Sequence, residues 1–178
     1  MKTLFVILTS MCVLSLSAQS HMRTNEMKVS FTSDAPLELI QAEMDQGVGI
    51  ISTSTNEFAF KVGVSEFHGF NSALQQEHFN ENYMETGHFA LATFTGRLIE
   101  DIDFGTNQTV VAHAAGILTI HGVAQDRVID IELNINKKGI RFTSNFDILL
   151  EDHNIDIPRL VENKIASTIY VSVEGILH

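Results

Sequence analysis

Val128-Ile-Asp-Ile-Glu-Leu-Asn-Ile-Asn136 alternates without a break, with Ile129, Ile131, Leu133 and Ile135 on one side and Asp130, Glu132 and Asn134 on the other. A period of two marks a strand with one face buried and one in water. Asn136-Lys-Lys-Gly139 follows at once and reads as a hairpin turn, because Gly139 is free to take a positive φ. Beyond it the alternation resumes, with Phe142, Phe146, Ile148 and Leu150 opposing Arg141, Thr143 and Asp147. The stretch predicts two half-buried antiparallel strands joined by a tight turn.

Working outward, the same pattern recurs. Phe58, Phe60, Val62 and Val64 share one face against Lys61 and Ser65, and Ile169, Val171 and Val173 oppose Tyr170, Ser172 and Glu174. Further strands are expected around residues 26–32, 48–53, 92–100 and 110–121. Eight or so strands in one mid-sized domain predict an all-β antiparallel barrel or sandwich. The run from Phe70 to Thr86 departs from alternation, and its weak helical spacing through Phe70, Leu74 and His78 predicts a short helix or ordered loop over one end. A second short helix is expected after Pro158, over residues 159–164.

The first twenty residues stand apart. Lys2, the apolar run from Leu4 to Leu16 and the small polar ending Ser17-Ala18-Gln19-Ser20 have the order of a secretory signal peptide. The run is too short and too interrupted to span a bilayer, which takes roughly 20 apolar residues. Cleavage is expected near Ala18 to Ser20, leaving residues 21–178 as one domain. Cys12, the single cysteine, falls inside this segment, so the mature chain would have no disulfide, thiol nucleophile or cysteine metal site. Met11 before Cys12 argues against a lipidated cysteine. The formal charge of −11 repels phosphate backbones and anionic headgroups, which excludes nucleic acid as a natural partner. No later stretch is apolar over membrane length.

A small barrel either fills with side chains or keeps room for one ligand. Twelve phenylalanines and no tryptophan, many at inward positions, would suit an apolar guest or would equally pack against each other. Here the residues resemble a family. Gly116-Ile-Leu-Thr-Ile-His-Gly-Val123 is similar to the signature of the YceI-like, polyisoprenoid-binding proteins of bacterial envelopes. Gln76 to Glu85 resembles the family's helix-loop segment, and Ala92-Thr93-Phe94 the end of its following strand. Asp152 to Pro158 and Lys164 to Ile169 resemble its closing segment. Two departures stand out, His88-Phe89 in place of a tyrosine-proline pair and Ala124-Gln125 in place of threonine-lysine. The resemblance implies an extended, lipocalin-like antiparallel barrel of about eight strands whose pocket takes a long-chain lipid or isoprenoid. It also implies periplasmic binding, transport or storage of that lipid, with no other cofactor.

On alternation, Phe58, Phe60, Val62, Phe94, Leu118, Ile120, Phe142 and Phe146 are the candidate pocket lining, and Phe67, Phe70, Phe79 and Tyr83 the candidate mouth. His121, within the signature, is expected to hydrogen-bond a turn or a headgroup. The other histidines, His68, His78, His88, His113 and His153, form no zinc-spaced motif. His113 and His121 would lie about 26 Å apart along one straight strand, so no metal is expected. No nucleophile elbow or phosphate-cradling loop is present. Acidic pairs such as Asp101 with Asp103 and Asp126 with Asp130 read as solvated surface, so no enzyme activity is expected. Two alternatives stay open: an envelope adaptor with a filled barrel, and a lipid hydrolase. A homodimer is compatible with all three.

Overall fold

The computed structural model describes residues 21–178. The expected signal segment and Cys12 lie outside them. Eight strands follow in order: β1 (His21–Ala35), β2 (Glu38–Ser52), β3 (Glu57–Gly63), β4 (Leu91–Leu98), β5 (Gln108–Ile120), β6 (Val123–Asn136), β7 (Gly139–Leu149) and β8 (Thr168–Leu177). Each pairs antiparallel with its sequence neighbour. β8 then pairs with β1, through Lys28 to Thr32 against Tyr170 to Glu174, and the sheet closes into a barrel. Closure leaves no strand without a neighbour on both sides.

The alternation read from the sequence is the inside and outside of this barrel. Ile129, Leu133 and Ile135 on β6 and Phe142 and Ile148 on β7 are buried, while Asp130, Glu132, Asn134 and Arg141 face solvent. The hairpin forms as expected, with Asn136 opposite Gly139 and only Lys137-Lys138 between the strands. Gly139 has φ +135°, where a side chain would press on the Leu177 carbonyl. Gly96 and Gly116 face each other across β4 and β5, and a Cβ on either would run into the other strand's backbone. These two glycines allow β4 and β5 a close backbone approach there.

Strand bounds differ from expectation in β1 and β2, each 15 residues long where only fragments were foreseen. The inward side of β2 carries Ile40, Ala42 and Met44, and its register with β1 shifts around Met27 and Gly47. A bulge interrupts strict alternation, so the sequence pattern was lost there. The short helix expected within residues 70–86 forms. Ser72 caps α1 (Ala73–His78) by accepting from the Gln75 backbone N–H at 3.1 Å, and one π-type turn follows over Phe79–Tyr83. The helix expected over 159–164 is a single 3-10 turn, Arg159–Val161.

The up-and-down order gives the barrel two unlike ends. Three short connections, 53–56, 99–107 and 137–138, close one end. Asn56 bolts it: its side chain donates to the Glu100 carbonyl at 3.1 Å and its carbonyl accepts from Leu98 at 2.9 Å. The long connections 64–90 and 150–167 gather at the other end, together with the turns after β1 and β5. The 64–90 segment lies along the edge of β2, through paired Glu43 and His68 backbones and an Asn71 side chain donating to the Leu39 carbonyl at 2.9 Å.

β6 and β7 pair only from Glu132 to Asn136 against Gly139 to Thr143. Nearer the long-loop end they are joined by side chains. Ser144 donates to the Asp130 carbonyl at 2.6 Å, Arg127 to the Asp147 carbonyl at 2.7 Å and Gln125 to the Asp152 carbonyl at 2.6 Å. The barrel is thus laced by side chains where its main-chain ladder stops.

Candidate ligand-binding cavity

The inward faces enclose a cavity of about 550 Å³. Phe58, Phe60, Val62, Phe94, Leu118, Ile120, Phe142 and Phe146 all line it, as do Phe67, Phe70, Phe79 and Tyr83 toward the long-loop end. Strand parity brings the first eight together; the insertion between β3 and β4 brings the other four.

The phenylalanines form two groups. In the barrel, Phe58 packs on Phe94 and Phe60 with ring centroids 4.9 and 5.7 Å apart, and Phe60 reaches across to Phe142 at 5.4 Å. Phe142 fits because Gly175 stands opposite; a Cβ there would come within 2.7 Å of the ring. At the mouth, Phe31 meets Phe67 at 5.3 Å, Phe79 at 5.5 Å and Phe70 at 6.0 Å. Such offset and tilted pairs are favourable aromatic geometry. Phe31 was not foreseen as a site residue, although Met27, Val29 and Phe31 alternate plainly enough to place it inward.

The wall chemistry is apolar. The buried lining serines are tied to backbone: Ser144 donates to Asp130, and the Ser33 hydroxyl accepts from the Ala166 N–H at 2.9 Å. Burial pushes the Tyr83 phenol above its ordinary value, so it stays neutral. Charge enters where Glu38, Lys61, His78 and Lys164 join the lining, with Gln75 holding Glu38 at 2.9 Å. Glu38, His78 and Lys164 were missed in the sequence because they lie on long connections and a strand end, where no periodicity marks them, and Lys61 was read as facing away from the interior.

Of the two roles expected of His121, hydrogen-bonding a turn or a headgroup, the turn is the one seen, and His121 is not among the residues lining the cavity. It sits in the β5–β6 turn at φ +51°, with Nε2 on Glu85 at 2.9 Å, Nδ1 on the His153 carbonyl at 3.2 Å and its ring 4.5 Å from Phe89. Both ring nitrogens are engaged, so the residue clasps the turn to both long connections. His153 is fully buried behind it and donates from Nδ1 to the Val123 carbonyl at 3.2 Å. Burial holds its basicity below the ordinary histidine value. The Gly116–Val123 signature therefore specifies a strand end and its anchored turn.

On the outer wall, His113 pairs with Glu100 at 2.5 Å and lies 3.6 Å from Asp130. Glu100 raises the basicity of His113, and the His113 backbone N–H and ring hold the Glu100 carboxyl low. Among the described residues no three metal-ligating side chains converge, and Asp101, Asp103, Asp126 and Asp130 are all exposed. No helix among them is long and apolar enough to cross a membrane.

A polyisoprenoid-binding domain from Saccharophagus degradans, implicated in plant cell wall breakdown, superposes with TM-score 0.75 at 15% identity, over 90% of this chain and 98% of that one. Burkholderia cenocepacia BcnA gives 0.69 at 14% identity, over 85% and 96%. A Campylobacter jejuni YceI protein gives 0.50 at 14% identity, over 99% and 98%. These likenesses are of fold. No curated protein sequence matches the chain. The model of the YceI-like domain matches residues 14–176, nearly the whole length, and the chain belongs to that family.

Proposed function

We propose that this protein binds one long-chain amphiphile, an isoprenoid or related lipid, and carries or stores it in the bacterial periplasm after export. The observation that carries the reading is the apolar cavity of about 550 Å³ whose buried serines are already satisfied by backbone. Such a wall offers a guest no directional bonds and selects by shape and dryness. Each buried methylene contributes about 0.8 kcal/mol, so ten supply roughly 8 kcal/mol before the costs of association. The polar groups at the opening leave a headgroup in contact with water. The polyisoprenoid-binding description of the Saccharophagus relative supports the ligand class, and the signal-like segment at residues 1–20 supports export.

The role is binding without a chemical step. The open cavity argues against a purely packed adaptor, and the solvated acidic pairs give a hydrolase no sheltered acid and base. Solvent extraction of freshly purified protein followed by mass spectrometry tests the reading. We expect a stoichiometric apolar amphiphile. Protein that comes out empty and takes up no added long-chain alcohol would overturn it.

A further inference from the structure

We infer that the long-loop end of the barrel is a docking surface, a ring of exposed leucines that seats the protein on a zwitterionic lipid bilayer. This rests on the lipid-binding reading above and adds to it the partner with which the ligand is exchanged.

Five leucines are exposed among the described residues, Leu37, Leu39, Leu74, Leu91 and Leu160, and every one lies at the long-loop end. Leu37 is in the turn between β1 and β2, Leu39 at the start of β2, Leu74 on α1, Leu91 at the start of β4 and Leu160 on the 3-10 turn after Pro158. Leu160 is 93% exposed and Leu37 72%. The other exposed large apolar side chains, Ile99, Val111, Ile117, Val128 and Tyr170, are β-branched or aromatic and stand on or beside strands, where such residues are ordinary. Strand propensity accounts for the walls and leaves the leucines around the mouth without a structural reason.

The segments that carry the ring are tied together. The Leu37 N–H donates to the Asn163 carbonyl at 2.9 Å, joining the β1–β2 turn to the 150–167 connection. From the 64–90 connection, Asn71 donates to the Leu39 carbonyl and Gln75 to the Glu38 carboxylate, each at 2.9 Å. The ring is also continuous with the cavity. Leu74 is 58% exposed and lines it, while Leu39 and Leu160 adjoin the lining residues Glu38 and Val161. An apolar chain passing from a bilayer into the barrel would keep apolar contact along the way.

Composition and charge select the partner. Protein interfaces are anchored by Trp, Tyr and Arg, with leucine under-represented. The leucine-bearing stretches 36–39, 72–78, 90–92 and 158–165 contain one arginine, Arg159, and no Trp or Tyr. Their charged groups are Arg159 and Lys164 against Glu38, Glu77 and Glu162, a net of −1 where the whole chain carries −11. The acidic surplus lies away from the mouth, so zwitterionic headgroups meet little repulsion there, and the leucines entering the interface supply the attraction.

Flotation with phosphatidylcholine vesicles tests the inference. The protein should rise with the vesicles, equally well at about 0.05 and about 0.5 M salt, because screening weakens only charge-driven binding. Leu37→Ser and Leu160→Ser should each weaken partitioning about tenfold. Neither residue lines the cavity, so both variants should take up N-phenyl-1-naphthylamine like the wild type when no vesicles are present. A Val111→Ser, Val128→Ser variant of the outer wall should float unchanged. Wild-type protein that stays in the dense fraction overturns docking, as does a loss caused equally by the wall variant. A dimer in sedimentation velocity that Leu160→Ser dissolves, with no flotation, would assign the ring to a second copy and also overturn it. Protein that floats but takes up no N-phenyl-1-naphthylamine overturns the lipid-binding reading and leaves docking intact.

Discussion

Individual side chains here do two separable jobs, filling the barrel and clasping its ends. Phe142 is almost fully buried between Phe60 and Gly175. Phe142→Ala should cost about 3–5 kcal/mol in chemical denaturation, and a loss under 1 kcal/mol would mean that the ring is not seated as described. The histidines separate by environment. His153 resists protonation because it is buried, so its folded pKa lies below the ordinary 6.5 and its contribution to stability is lost as pH falls through that range. His113 gains Glu100, so its folded pKa lies above 6.5; its contribution is full below that value and is lost as pH rises past the folded one. An NMR titration of the ring protons should therefore find His153 titrating below His113, and the reverse order would contradict both placements.

At the level of elements, the β6–β7 seam is the weak join. Its main-chain ladder covers only Glu132–Asn136 against Gly139–Thr143, and side chains hold the rest. Because β7 pairs with β8 from Ile140 to Leu149, the contrast lies on its other edge: the β6-facing amides of residues 144–149 should exchange with deuterium faster than the β6-facing amides of 139–143. Equal protection across the seam would refute the interrupted ladder. Ser144→Ala, which leaves the Asp130 carbonyl without that partner, should lower stability by about 1–3 kcal/mol, measurable as a shift of the denaturation midpoint. Elements also mark how far the sequence could be read. The β6–β7 hairpin was legible because its alternation is unbroken and a glycine closes the turn. β3 and β8 were legible for the same reason of parity. The full lengths of β1 and β2 were hidden by the shift near Met27 and Gly47, and the short 3-10 turn at Arg159 looked like more helix than it is. For His121 two roles stayed open in the sequence, because a family signature says that a residue matters without saying whether it touches ligand or holds the fold. Its partners, Glu85 and His153, lie 36 and 32 residues away, a proximity no local pattern encodes.

For the molecule as a whole, closure of eight strands puts an apolar-walled cavity inside, short turns at one end and a charged, long-looped opening at the other. Composition alone left two outcomes for twelve phenylalanines, a solid core or a lined cavity. The distinction lies in ring placement across the barrel, which depends on contacts between strands distant in sequence, such as Phe60 with Phe142. The measurement that tests the central claim most directly is a set of intermolecular NOEs between hexadecan-1-ol and the isotope-labelled protein. The account expects the terminal methyl beside Leu98, Leu133 and Leu177, and the carbinol protons beside Lys164 and Gln75. Contacts confined to exposed Val111 and Val128 on the outer wall, or no contacts at all, would contradict it.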